Sequence, residues 1–211
     1  MNRTSLRADW LVALCVLGAL PHPAVTLFGA EGEEPKAEEK KDAPEAKEAA
    51  RAKAIDLTQW TSEDEKYTNP VDIQTEDGEK GKQLKIGFKG GEKDKSVVCR
   101  DLSKAKLKAQ GTLKLRVANL SEKAFEITIA LKTGKNYAFH ESQRIVVKPG
   151  GQEFQEIAID LGASTFKSEA TEWKNTGPIA DPGDVKSIQL AVYNEKKSGT
   201  MIVGGLEIAP K

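Results

Sequence analysis

Beyond Ile55 the chain alternates apolar and polar residues in short runs, and this alternation marks its strands. Ile188, Leu190 and Val192 alternate with Gln189, Ala191 and Tyr193, the period of a strand with one buried face. Lys196, Lys197, Ser198 and Gly199 carry turn chemistry, and 201–208 is a second apolar run. Residues 184–208 are therefore predicted to form a closing hairpin. Leu113, Leu115 and Val117 form one apolar face, and Phe125, Ile127, Ile129 and Leu131 form another. At this spacing the two runs predict an antiparallel pair. Leu84, Ile86 and Phe88 alternate with Gln83, Lys85 and Gly87 as a further half-buried strand.

Weaker patterns complete the set. Residues 56–60 (DLTQW) read as a short first strand, 71–73, 97–101, 144–147 and 154–161 as others, and 104–109 as one or two helical turns. Turns are expected at 76–81, at Gly90-Gly91 and at Pro149-Gly150-Gly151, where proline cannot donate to a ladder. Residues 163–184, with Phe166, Trp173, Pro178 and Pro182, lack a clean period and read as a binding or capping loop. About nine or ten short strands with regular turn signals and no βαβ alternation predict an all-β antiparallel β-sandwich, a jelly roll.

The N-terminal part is different. Arg3 and Arg7 precede the apolar run WLVALCVLGAL, which is too short to span a bilayer comfortably, so 1–30 reads as a secretory signal peptide. A mature start is expected between Val25 and Glu31. Residues 31–54 hold Glu, Lys and Ala with almost nothing apolar beyond alanine, the composition of a disordered linker. The sandwich domain is then 55–211. Export would leave a secreted, periplasmic or extracellular protein that no membrane retains once the signal is cleaved. Leu14 before Cys15 argues against a lipid anchor, and Cys99 is left as a single thiol without a disulfide partner, read as buried and inert.

The 32 basic and 32 acidic residues cancel, so no global field draws the chain to nucleic acid. After signal removal one histidine remains, His140, read as a strand-end surface residue. One histidine and one cysteine cannot build a zinc site, and no G-x-S-x-G elbow presents a nucleophile. No carboxylate pair stands out for glycoside hydrolysis. The chain is therefore read as a non-enzyme.

The segments QLKIGF (83–88), DLSKAKLKAQGTLKLRVAN (101–119), VVKPGGQEFQEIAIDL (146–161), DVKSIQLAVYN and GTMIVGGLEI follow one another in the order of a known superfamily. In this order the chain resembles secreted jelly-roll modules of the galactose-binding-like and carbohydrate-binding-module superfamily. The resemblance spans nearly all of 55–209 and implies a glycan ligand. Many relatives hold a structural calcium through Asp in the last strand. The matching positions here are Gly204 and Gly205, which bear no oxygen, and Phe154 stands where tryptophan is common. No cofactor is expected.

Sugar recognition needs an aromatic face for the pyranose ring and polar side chains for its hydroxyls. The candidates are Trp173, Tyr193 and Tyr137, with Arg116, Asn194, Gln189 and Glu126 on the polar parity; Trp60 is either a stacking ring or a plug of the sandwich end. Tyr193, Arg116 and Glu126 are expected to share one solvated sheet face. The function read from the sequence is a secreted, non-catalytic module for a glycan or a cell-wall or matrix component. The alternative is a structural or protein-interaction sandwich without a sugar site, whose partner is an extracellular protein.

Overall fold

A computed structural model describes residues 51–210. The signal peptide, Cys15 and all but the last residues of the linker lie outside the described residues. Twelve strands run in the order β1 Lys53–Ala54, β2 Thr61–Ser62, β3 Val71–Gly78, β4 Gly81–Phe88, β5 Ser96–Asp101 and β6 Thr112–Asn119. They continue with β7 Phe125–Thr133, β8 Ala138–Glu141, β9 Ile145–Val147, β10 Gln155–Asp160, β11 Val185–Tyr193 and β12 Gly199–Ala209. The one helical element among the described residues is a 3₁₀ turn, Glu169–Thr171.

The strands form two sheets with antiparallel pairing throughout. The first has the order β10-β6-β12-β4-β3, with β1 added to β12; the second has β2-β5-β11-β7-β8, with β9 also on β7. Their inner faces bury one continuous core that includes Leu84, Ile86, Leu113, Leu115, Ile127, Ile129, Leu131, Ile188, Leu190 and Met201. These are the positions the alternation singled out. The predicted β-sandwich is present, and ladder pairing begins at Lys53, two residues before Ile55.

Two expected pairings are overturned. β11 and β12 are not a hairpin: β11 lies between β5 and β7 in the second sheet, while β12 lies between β4 and β6 in the first. Likewise β6 and β7 belong to different sheets. Both connections are arches across the sandwich, and a buried asparagine organises each. Asn119 Nδ2 donates to the carbonyls of Lys123 and Val147, and its Oδ1 accepts from the Ser121 amide. Asn194 Nδ2 donates to the carbonyls of Lys89 and Lys197. Ser121 ties the arches together, its Oγ accepting from the Thr200 amide at 2.9 Å. True hairpins occur at β3–β4 and β7–β8.

Smaller expectations shift too. Residues 56–60 form a loop, with Trp60 buried and its Nε1 donating to the Asp56 carbonyl, so this ring plugs the sandwich. Residues 104–109 form no helix: a turn spans 103–106 and 107–109 are irregular. Cys99 is only half-buried, on the outer face of β5 with Sγ 3.3 Å from Thr61 Oγ1; burial raises its pKa.

The glycine pair of β12 has a packing reason. A β-bulge falls between Val203 and Gly205, and a Cβ built on Gly204 would stand 2.5 Å from the Phe154 ring. Phe154 thus lies directly on the backbone, with the Arg116 guanidinium 4.7 Å from its ring centroid. Gly204→Val is expected to lower stability by about 1–3 kcal/mol through overpacking. Adding Phe154→Ala to that variant should recover most of the loss, read as non-additivity of urea midpoints.

Candidate functional site

The outer face of the second sheet carries a connected polar network. Along β11 the outward positions are Ser187, Gln189, Ala191 and Tyr193, paired across to Lys132, Ala130, Thr128 and Glu126 of β7. Ala130 and Lys132 are paired onward to Glu141 and Phe139 of β8. Strand pleating sends all of these side chains to one side.

Glu141 is the hub of this face, with only 3% of its side chain exposed. Its Oε1 accepts from the Tyr193 hydroxyl at 2.5 Å and from Thr128 Oγ1 at 2.7 Å. Its Oε2 lies 3.2 Å from Lys167 Nζ and 3.9 Å from Lys95 Nζ. Burial alone would raise the Glu141 pKa, but the two hydroxyl donors and the two ammonium groups outweigh it and hold the carboxyl below its usual range. The same burial and the same bond push the Tyr193 phenol well above its ordinary value.

Tyr193 also bears the cations of the face. The Arg144 guanidinium stands 3.8 Å from its ring centroid, and Lys95 Nζ stands 5.5 Å away. Arg144 in turn donates to Glu126 Oε2 at 3.0 Å, and both partners are about half-exposed. Beyond Tyr193 the face runs into a cleft of about 750 Å³ at the end of the sandwich. Its walls are the two arch loops, and Tyr193, Glu126, Arg144, Asn194, Ser121 and Ser198 line it. Phe88 and Phe125 close its base, their rings edge-on at 5.2 Å. The Oδ1 of Asn194 is buried without a hydrogen-bond partner.

At the opposite end of the face the 163–184 loop packs against β8. Phe166 is its buried anchor, bridged to Gly177 in an antiparallel pair. His140 underpins the same end: it is buried rather than at the surface, its Nε2 accepting from the Ala180 amide, because its parity on β8 is that of inward-facing Leu131. Burial lowers its pKa. At the loop tip Glu172 and Trp173 both have positive φ, 51° and 62°. The Trp173 side chain projects outward, 58% exposed, with its ring 6.1 Å from that of Phe139. Tyr137, also exposed and at φ 54°, ends the β7–β8 turn two residues before Phe139.

The seven residues singled out in the sequence therefore divide. Tyr193, Glu126 and Asn194 meet in the end cleft, and Trp173 and Tyr137 project from the far end of the sheet. Gln189 is on the expected face but buried, its Nε2 donating to Glu63 Oε2 at 2.7 Å. Asn194 is buried too, a loop scaffold rather than a free amide. Arg116 is on the other sheet, occupied with Phe154, so it does not share a face with Tyr193. The alternation assigned its parity and could not assign its sheet. Glu141, Arg144, Lys95 and Lys167 were missed. A register-aware reading could have found Arg144 through Glu126 and Val146, which face each other across β7 and β9. Lys167 is brought to Glu141 by an isolated bridge with no local signal.

Among the described residues no group of three or more His, Cys, Asp or Glu side chains could hold a metal ion, and no helix is long and apolar enough to cross a membrane.

No protein-family model matches the chain, and no curated protein does. Solved structures do. The solution structure of the family 11 carbohydrate-binding module CtCBM11 aligns with a TM-score of 0.59 at 16% identity, covering 79% of this chain and 99% of that one. The family 11 module from Clostridium thermocellum, in complex with a β-1,3-1,4-mixed-linked tetrasaccharide, aligns at 0.51 and 16% identity over 77% and 97%. An exo-β-agarase aligns at 0.52 and 11% identity, over 77% of this chain and 26% of the agarase. At such identities the likeness is one of architecture: residues 51–210 have the β-sandwich jelly-roll fold of carbohydrate-binding modules.

Proposed function

We propose that the protein is an exported, non-catalytic glycan-binding module whose ligand lies on the outer face of the second sheet and enters the end cleft. The observation that carries this reading is the meeting of Tyr193, Arg144 and Glu126 at the mouth of a polar cleft of about 750 Å³. A pyranose is amphipathic, with C–H faces that stack on an aromatic ring and hydroxyls that need donors and acceptors at its rim. Tyr193 supplies the ring. Arg144 supplies a fork of donors, Glu126 acceptors, and Ser121 and Ser198 hydroxyls.

In the free protein the Arg144 guanidinium stands over the Tyr193 ring, in a position a sugar would take. Turning it aside breaks an exposed ion pair with Glu126, worth about 0–1 kcal/mol, and a cation–π contact of about 0.5–2 kcal/mol, which the ligand's stacking and hydrogen bonds offset. Arg144 then becomes a donor to the ligand. Gly204 and Gly205 offer no side-chain oxygen, and this reading includes no calcium there.

The test uses the full chain on soluble polysaccharides, beginning with mixed-linked β-1,3-1,4-glucan. Tyr193→Ala is expected to weaken binding about tenfold or more, while Tyr193→Phe, which keeps the ring, retains most of it. A second reading is a protein-interaction domain, favoured by the cations on the same ring: Arg144 stands 3.8 Å and Lys95 5.5 Å from its centroid. Failure of the folded wild-type chain to bind any polysaccharide of a broad panel sinks the glycan reading and leaves the charged face as a protein contact.

A further inference from the structure

At the pole opposite the Tyr193 cleft the sandwich holds a second cavity, of about 390 Å³. The cleft borders Leu120, just past the end of β6, and this cavity borders Gly111, just before its start. At roughly 3.4 Å per residue the two lie about 30 Å apart along the strand. Leu107, Ile208 and Pro210 give the cavity an apolar floor, and the first two belong to the core. Backbone bonds pin its walls. The Ala109 amide donates to the Pro182 carbonyl at 2.6 Å, the Val185 amide to the Leu107 carbonyl and the Leu161 amide to the Gly111 carbonyl. Gly111 has φ 103°, and a Cβ there would stand 2.1 Å from the Ala209 carbonyl oxygen, so these two walls meet backbone to backbone. On the remaining side β1 pairs Lys53 with Ile208.

The charges around this floor have one sign. Arg51, Lys53 and Lys108 line the cavity and no acidic side chain does. None of these cations has an ion pair among the described residues. Glu207, beside Ile208 in β12, faces Lys114 of β6 instead. Like charges gathered at one mouth repel each other, and an anion placed among them relieves that repulsion. We propose that this cavity binds a small amphipathic anion, a carboxylate or sulfonate on a compact apolar body. The body covers Leu107 and Ile208, where leaving water is favourable, and the acid group meets Arg51, Lys53 and Lys108. Gln110 adds an amide donor at the rim. The lining also selects against other ligands. A metal ion is repelled by it, and a neutral sugar finds no aromatic ring to stack on. The volume is at the small end for small-molecule sites, which suits a compact acid. Neither the pole nor the chemistry is that of the Tyr193 cleft, so this site stands apart from the glycan reading.

The experiment titrates the full chain with anilinonaphthalene sulfonate, read by its fluorescence, and with phenylnaphthylamine, which has the same rings without the sulfonate. The wild type should bind the sulfonate saturably and more tightly than the amine. Lys53→Glu combined with Lys108→Glu should weaken the sulfonate about tenfold and leave the amine within about twofold. Lys89→Glu combined with Lys93→Glu makes the same change in net charge beyond β4, at the other pole, and should leave sulfonate affinity unchanged. Tyr193→Ala should leave it unchanged as well. Urea midpoints confirm that each variant is folded. Equal affinity for the two probes, or no sulfonate binding by the folded wild type, overturns the site. So does an equal loss in the two double variants, which makes the effect one of net charge, or a loss in Tyr193→Ala, which places the probe in the cleft. The Lys53→Glu, Lys108→Glu variant should bind mixed-linked glucan as the wild type does, so failure here leaves the glycan reading standing.

Discussion

Glu141→Ala is expected to destabilise the domain by about 3 kcal/mol, measured as a shift in the urea midpoint. The carboxylate is the common acceptor for Tyr193 and Thr128 and the counter-charge for Lys167 and Lys95. Its removal leaves one buried and one part-buried hydroxyl without this acceptor and takes the counter-charge from two ammonium groups. Both lysines keep some contact with water, which holds the effect at the lower end for a broken buried pair. Glu141→Gln, which retains an acceptor oxygen, should lose less.

The same hub sets the pH response. The folded-state pKa of Glu141 is below its ordinary value of 4.5. Its contribution is therefore fully present above about pH 4.5 and is lost as pH falls through the folded value, because the unfolded chain takes up the proton more readily. Tyr193 acts in the opposite direction. Its folded pKa is above 10, so its contribution is present below pH 10 and is lost as pH rises beyond it. In Glu141→Gln the acid-side slope should flatten, and in Tyr193→Phe the alkaline-side slope. Slopes identical to wild type in both variants would mean that this network does not govern the response.

Phe166→Ala should cost more, about 3–5 kcal/mol, as expected for emptying a fully buried aromatic site. The effect reaches beyond the core because Phe166 anchors the loop that carries both Lys167, a partner of Glu141, and Trp173. Well below its unfolding temperature this variant should be cut by protease within 163–184 sooner than wild type. A variant with normal stability would show that Phe166 is not the anchor.

Much of the architecture is legible in the chain. The alternation at Leu84, Ile86 and Phe88, at Leu113 to Val117, at Phe125 to Leu131 and at Ile188 to Val192 selects the residues that line the core. Each strand has a side-chain period of two, so one buried face specifies the inward set without reference to any partner. The turns at Glu79-Lys80 and Thr133–Ala138 are likewise local and close true hairpins. The candidate site was legible in part for the same reason. Tyr193 and Glu126 have the parity of exposed residues, and Trp173 falls in the one long aperiodic loop.

What alternation leaves open is which sheet a strand joins. The runs around 119–125 and 194–199 have the length and composition of hairpin turns, yet both cross the sandwich. The reason lies in long-range bonds: Asn119 reaches Val147, Asn194 reaches Lys89, and Ser121 reaches Thr200. A buried amide must satisfy its hydrogen bonds wherever partners exist, and those partners are distant in sequence. Arg116 left the expected face because β6 lies in the other sheet, and Lys167 joined that face through its bridge to Glu141. The chain by itself determined the strands, their inward residues and an aromatic loop, because these follow from local periodicity. The tertiary structure alone decided the pairing across the arches and with it the Glu141 hub, the cleft at Tyr193 and the distance to Trp173, because each depends on non-local backbone and side-chain partners that no local pattern encodes.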